Sequence, residues 1–167
     1  MKEPLLYRIT RPIIKVLFNF VYRPTYIGLE NIPENKACIL AGNHTNYLDC
    51  LLLISATKRT IHFLAKDDLS KGVKKIIFNN MGIIAVNRKK HDGKSLKIAC
   101  DFLKKNKVIG IFPEGTINRT DDTIMPFKIG AVKMAKDTSS YIVPFTIKGK
   151  YKNFRKTVIL QIYKPYK

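Results

Sequence analysis

Apolar and polar residues alternate in blocks along this chain, and the blocks predict an ordered series of strands and helices. Short apolar runs typical of buried strands lie at 25–29, 37–41, 61–65, 83–86, 108–112, 141–147 and 157–163. Between several of them, apolar residues recur at helical spacing, as at 47–56, 95–103 and 128–135. Because the strands alternate with helices and are apolar almost throughout, we predict an α/β fold. Its core is a single mixed, largely parallel sheet of about seven strands, covered by helices on both faces.

The first 22 residues carry a different, amphipathic pattern. On a helix over 5–22, basic residues fall on one side and apolar residues on the other: Arg8, Arg11 and Lys15 against Ile9, Ile13, Val16, Leu17 and Phe20. We expect Pro12 to break or kink this helix, so that a shorter one begins near Thr10. The segment either docks on the core or lies in an anionic membrane interface. We therefore divide the chain into an amphipathic membrane-associating segment, 1–22, and one domain, 23–167.

Composition favours a globular protein with an anionic partner. The chain has 167 residues, enough for one domain to bury a core without disulfides. Its 31 Lys and Arg against 12 Asp and Glu give a net charge of +19, which favours a membrane, nucleic acid or a phosphorylated substrate. Cys38, Cys50 and Cys100 are expected to be buried free thiols of a reducing compartment. No secretory signal is evident, and no apolar run reaches the roughly 20 residues of a spanning helix.

Polar residues follow three of the predicted strands. Asn43 and His44 come after the strand at 37–41, Arg88 follows the one at 83–86, and Glu114 begins a turn after the one at 108–112. Ligands of such sheets bind beyond the carboxyl ends of the strands, so we expect these residues to line one cleft.

His44 and Asp49 form the chemical pair of this cleft. Asp49 comes five residues after His44, close enough for an aspartate–histidine dyad if the chain turns into a helix between them. A free imidazole, with a pKa near ~6.5, can accept a proton from a hydroxyl, and an aspartate fixes its tautomer. No Gly-x-Ser-x-Gly sequence is present, so the hydroxyl is expected to belong to a substrate. Taken alone, the spacing is equally compatible with a core or capping histidine.

Four blocks of sequence resemble the motifs of one family. The stretch 43–49, Asn-His-Thr-Asn-Tyr-Leu-Asp, resembles the first motif of the glycerolipid acyltransferases, the lysophosphatidate acyltransferase group. The stretches 82–88, 112–116 and 142–145 resemble the second, third and fourth motifs, in the same order. The stretch 127–131 resembles the segment that follows the third motif. The resemblance runs from about residue 22 to the end of the chain.

The resemblance implies a reaction. A fatty acyl group would move from acyl-CoA or acyl carrier protein to the sn-2 hydroxyl of 1-acylglycerol 3-phosphate, giving phosphatidate for phospholipid synthesis. It implies that His44 is the general base and that Asp49 orients it. It also places further residues at the acceptor or near the reacting centre: Arg88 on the phosphate, Glu114, Gly115 and Thr116 in the acceptor block, and Lys66. No metal or cofactor is expected beyond the acyl donor, and the site of action would be the cytoplasmic face of the cell membrane, reached as a peripheral or monotopic protein.

One position departs from the family pattern and bears on the acceptor. The third motif usually continues with arginine, whereas this chain has Ile117, and we expect Arg119 to replace the lost phosphate contact. Glycerol 3-phosphate or another lysolipid therefore stays an alternative acceptor.

Two alternatives of other classes remain at this point. A basic nucleic-acid-binding domain would need exposed stacking aromatics or a recognition helix, but the aromatic residues lie mostly inside apolar runs. We therefore expect no nucleic-acid partner. A lipid-binding module that has lost catalysis would not need the His44, Asp49 and Glu114 that this chain retains. His62, at the centre of a predicted strand, is expected to be structural.

Overall fold

A computed structural model describes residues 3–66, 80–86, 93–120, 122 and 124–167. The strands in these ranges are β1 (Thr25–Ile27), β2 (Cys38–Gly42), β3 (Ile61–Lys66), β4 (Ile84–Val86), β5 (Val108–Ile111), β6 (Tyr141–Gly149) and β7 (Val158–Ile162). The helices are α1 (Leu5–Tyr22), α2 (Asp49–Ala56), α3 (Lys94–Leu103) and α4 (Gly130–Thr138), with a short 3₁₀ turn at Leu29–Asn31. Each strand lies within two residues of its predicted position.

The strands form one seven-stranded sheet in the order β1-β7-β6-β2-β5-β3-β4. The five strands from β6 to β4 are mutually parallel, with β2 between β6 and β5. β7 runs antiparallel to β6, and β1 pairs parallel with β7 at the edge. The predicted mixed, largely parallel sheet is confirmed. Because β2, β5 and β3 are neighbours, the loops that follow their carboxyl ends meet at one edge.

Helices cover both faces of the sheet. The helices α1 and α2 pack on one face, against a cluster that includes Leu40 and Phe145. The helices α3 and α4 pack on the other, against Ile39 and Ile109. Adjacent residues of β2, such as Ile39 and Leu40, are thus buried on opposite faces. This double burial is the physical reason for strands that are apolar throughout.

The helix α1 continues through Pro12, so the predicted break is wrong. Thr10 does not cap a shorter helix, because its Oγ1 donates to the carbonyl of Leu6 inside the helix at 2.7 Å. A proline in a helix interior costs about 3 kcal/mol. Buried Tyr7 before it and buried Phe18 after it hold both halves of the helix on the core, which offsets that cost.

The opposite face of α1 is apolar and exposed. We call it the apolar stripe; its residues have relative exposures of 53 to 68% and are Leu5, Ile9, Ile13, Val16, Leu17 and Phe20. Docking on the core uses a different set of side chains, including Tyr7, Ile14 and Phe18. The helix therefore docks on the core and still presents an apolar surface. Within the described ranges, no helix combines the length and apolarity needed to cross a membrane.

Candidate active site

The chain leaves the sheet at Asn43, and the side chain of this residue fixes where the next one lies. Its Nδ2 donates to the carbonyl of Ile147 in β6 at 2.9 Å, and its Oδ1 accepts from the amide of Ile147 at 2.8 Å. The preceding residue must be small, because a Cβ on Gly42 would lie 2.3 Å from the carbonyl oxygen of Phe145. The close pairing of β2 with β6 thus delivers His44 to the edge of the sheet at a defined position.

His44 and Asp49 form the predicted dyad. The Nδ1 atom of His44 lies 2.9 Å from Oδ2 of Asp49, which is fully buried as the first residue of α2. The same oxygen accepts from the backbone amides of Thr45 at 2.6 Å and Asn46 at 2.8 Å. A carboxylate that meets three N–H donors keeps Nδ1 of the imidazole protonated. Nε2 is then the free acceptor, and the His44 side chain is 16% exposed.

The second oxygen of Asp49 is also held by protein donors. Oδ1 accepts from the hydroxyl of Tyr151 at 2.6 Å and from Oγ1 of Thr45 at 3.2 Å. Tyr151 lies in the loop after β6, outside the four motifs, and the sequence gave no signal that would place it at the dyad.

An aromatic ring covers one face of the imidazole. Phe112 stacks on His44 with ring centroids 3.9 Å apart and planes inclined by 13°. It follows β5, which pairs with β2, so the strand order brings the two rings together. Sequence reasoning placed Phe112 in the third motif and gave it no role; its position at the end of a strand next to β2 was the available signal.

Glu114 holds the backbone of His44. The carboxylate is buried, with Oε1 accepting from the amide of His44 at 2.9 Å and Oε2 from the amide of Met125 at 3.3 Å. The carbonyl of His44 accepts from the amide of Asn118 at 2.8 Å. The third-motif segment thus fixes both sides of the His44 backbone. Acceptor binding by Glu114 stays a prediction, since its two oxygens already contact protein donors.

The turn after Glu114 brings a cation to the site. Gly115 has a φ of 75°, and a Cβ there would lie 2.8 Å from Nζ of Lys128, whose side chain arches over the turn. The exposed Arg119 donates to the hydroxyl of Tyr47, in the first motif, at 3.3 Å. The structure therefore brings Arg119 to the first motif, as expected for a residue of this site, and adds Lys128, which sequence reasoning missed.

The other predicted residues are placed only in part. Thr116 is exposed in the same turn as Gly115, and Ile117 is half-buried beside it. Lys66 is the last residue of β3, at the carboxyl edge of the sheet where the site lies. The side chain of Lys66 and the whole of Arg88 lie outside the described part of the chain, so their roles stay predictions.

Comparison with known proteins agrees with this arrangement. The Acyltransferase family model matches residues 23–148. The chain belongs to the acyltransferase family. This acyltransferase-family chain is 36% identical over 139 residues to the 1-acyl-sn-glycerol-3-phosphate acyltransferase of Borreliella burgdorferi, covering 79% of the chain and 54% of that protein. It is 26% identical over 147 residues to the protein of the same name from Bacillus subtilis, covering 86% and 72%.

A solved structure shows the same fold. The crystal structure of the 1-acyl-sn-glycerophosphate (LPA) acyltransferase PlsC from Thermotoga maritima aligns with a TM-score of 0.73 and 24% identity. The alignment covers 96% of the acyltransferase-family chain and 67% of PlsC. The chain spans about half the length of the Borreliella relative.

The thiol next to the dyad is not a nucleophile. Burial raises the pKa of Cys50 to about 12, and the neighbouring Asp49 contributes in the same direction. A cysteine reacts as its thiolate, so the side chain of Cys50 stays inert at neutral pH. The acyltransferase-family dyad therefore has no covalent partner at this position and faces a hydroxyl supplied from outside.

Proposed function

We propose that this chain transfers a fatty acyl group from an acyl thioester to the sn-2 hydroxyl of 1-acylglycerol 3-phosphate, giving phosphatidate. The observation that carries the proposal is the bond from His44 Nδ1 to the buried Asp49, which leaves Nε2 free to accept a proton. The names of the Borreliella and Bacillus relatives support this choice of acceptor.

The reaction follows from the dyad. The acceptor hydroxyl donates its proton to Nε2 of His44 while its oxygen attacks the thioester carbonyl carbon, and Asp49 stabilises the resulting imidazolium. The tetrahedral intermediate collapses as the carbon–sulfur bond breaks, and the departing thiolate takes the proton from the imidazolium. General-base catalysis of this kind contributes about 10²–10⁴-fold in rate. The oxyanion needs preorganised donors, for which we propose backbone amides and Lys66.

Cations around the third-motif turn suit the acceptor phosphate. Arg88 is the proposed main contact, since a planar guanidinium forms paired hydrogen bonds with phosphate oxygens. Arg119 and Lys128 lie at the same turn and compensate for Ile117. We expect Arg119→Ala to raise the KM for the phosphorylated acceptor and to leave the KM for the acyl donor unchanged.

The identity of the acceptor is tested with a panel. Lysophosphatidate, glycerol 3-phosphate and lysophosphatidylcholine are offered to the purified chain with acyl-CoA or with acyl carrier protein, and products are identified by mass spectrometry. We expect phosphatidate at the highest kcat/KM. A preference for glycerol 3-phosphate would reassign the acceptor, and no product from any acceptor would refute the proposed reaction.

We propose that the apolar stripe of α1 seats the chain on an anionic membrane surface, at the cytoplasmic face. Phe154 extends the stripe, because its ring packs edge-on against Phe20 with centroids 5.8 Å apart and is itself 54% exposed. The loop that carries Phe154 also holds exposed cations, Lys150, Lys152, Arg155 and Lys156. Apolar side chains bordered by cations match an interface of acyl chains and anionic headgroups.

Vesicle binding tests this surface. We expect Ile13→Glu with Leu17→Glu to weaken flotation with phosphatidylglycerol vesicles by at least about tenfold, since burying one such side chain contributes about 1.5–3 kcal/mol. Ile98→Glu is the matched control, because Ile98 is 45% exposed on α3, on the other face of the sheet. Equal binding by both variants would refute the assignment of this surface.

A further inference from the structure

Tyr151 supplies the shorter of the two described bonds to Oδ1 of Asp49. Its hydroxyl lies 2.6 Å from that oxygen, and Oγ1 of Thr45 lies 3.2 Å from it. Asp49 is fully buried, so these donors stand in place of water. Oδ2 alone faces His44, and the contacts on Oδ1 therefore determine how the carboxylate is rotated towards the imidazole.

The tyrosine hydroxyl keeps its proton in this position. Burial raises the pKa of Tyr151, and the adjacent carboxylate of Asp49 raises it further. The hydroxyl is thus a permanent donor, and a bond from a hydroxyl to a charged carboxylate is among the stronger hydrogen bonds in proteins.

The ring of Tyr151 lies against the end of α1. It contacts Tyr22 edge-on at 5.6 Å and Phe18 at 6.1 Å between ring centroids. The same loop is tied to the helix a second time, since the amide of Phe154 donates to the carbonyl of Val21. A shift of α1 relative to the sheet would therefore move the ring of Tyr151, and with it the hydroxyl that holds Asp49.

We propose that Tyr151 is a positioning residue that joins α1, and hence the membrane-facing stripe, to the His44–Asp49 dyad. The inference rests on the proposed function, because it assigns a role within that reaction. The hydroxyl orients Asp49, Asp49 orients His44, and the ring sets the hydroxyl according to the seating of α1.

The first test removes the hydroxyl and keeps the ring. We expect Tyr151→Phe to lower kcat by about tenfold or more, with each KM within about twofold of wild type. Tyr163→Phe is the matched control, since the hydroxyl of Tyr163 bonds Oγ1 of Thr146 at 3.2 Å, away from Asp49, and we expect full kcat. A Tyr151→Phe variant with wild-type kcat overturns the positioning role.

The second test examines the link to α1 with a double-mutant cycle on kcat, measured on anionic vesicles. Tyr22→Leu removes one ring contact at a half-buried position, and we expect it to lower kcat several-fold in wild type. In the Tyr151→Phe background, which lacks the hydroxyl, the same substitution should have no further effect. Additive losses, or no loss in wild type, overturn the link.

A third readout separates this inference from the proposed function. The chain has three histidines, so the ¹⁵N signals of His44 can be assigned by comparison with His44→Gln. We expect wild type to show one His44 tautomer, protonated at Nδ1, and Tyr151→Phe to show a mixture or a shifted Nδ1 signal. Unchanged His44 signals overturn the inference even if wild type acylates no acceptor, and a changed signal supports it in that case too.

Discussion

Replacing Asp49 by asparagine removes the charge of the dyad while keeping its hydrogen bonds. Oδ2 accepts from three N–H groups, those of His44 Nδ1, Thr45 and Asn46, so the amide oxygen must take that place. The amide NH₂ then falls where Oδ1 was, facing the hydroxyls of Tyr151 and Thr45. Hydroxyls can accept as well as donate, so both contacts reverse without moving. Asp49→Asn therefore isolates the contribution of charge.

The size of the effect follows from two limits. A hydrogen bond to a charged group is worth about 1 kcal/mol more than one between neutral groups, which sets a lower limit of nearly tenfold on the fall in kcat. In the transition state an imidazolium faces the carboxylate, and two charges ~4 Å apart at an effective dielectric of ~20 attract by about 4 kcal/mol. That attraction sets an upper limit of about a thousandfold.

The assay follows thiol release from acyl-CoA with lysophosphatidate as acceptor. Circular dichroism melts confirm folding, and Asp101→Asn, which removes an exposed charge from α3, is the control. A kcat for Asp49→Asn within about threefold of wild type would mean that the carboxylate charge does not stabilise the imidazolium. The general-base role assigned to His44 would then lack its partner.

Three further predictions concern groups around the core and the site. Arg59 donates to the carbonyls of Pro33, Lys36 and Asn106 at 2.5 to 2.7 Å, so Arg59→Met should lower the free energy of unfolding by about 2 kcal/mol, measured in urea; an unchanged midpoint contradicts this. Burial lowers the pKa of His62, so its contribution to stability is fully present above a pH of about 6.5 and is lost below it. His62→Gln should flatten the fall in urea stability between pH 7.5 and 5.5, and an identical fall refutes this. Glu114→Gln keeps the acceptor for the amide of His44 and should lower kcat less than about tenfold, whereas Glu114→Ala leaves that amide unpaired and should lower it more; equal losses contradict the positioning role.

The sheet and the dyad were predictable because their causes are local in sequence. Burial on both faces makes β2 and β5 apolar throughout, and that pattern is visible without coordinates. The dyad was predictable because Asp49 follows His44 by five residues and opens a helix, so a single turn brings the pair together.

The remaining contacts depend on the tertiary structure. Pro12 was expected to end a helix, but packing of Tyr7 and Phe18 on the core outweighs that local preference. Tyr151 reaches Asp49 across 102 positions of sequence, and no local pattern encodes such a contact. Glu114 was recognised by its motif, yet its bond to the amide of His44 arises only because the loops after β2 and β5 meet.

The central claim is that His44 takes the proton of the acceptor hydroxyl. The most direct measurement is the initial rate of phosphatidate formation by wild type and by His44→Ala, at equal concentrations of folded protein and saturating substrates. We expect the substitution to lower the rate by about 10²–10⁴-fold and added imidazole to restore part of it. A His44→Ala protein that forms phosphatidate at the wild-type rate would contradict the claim.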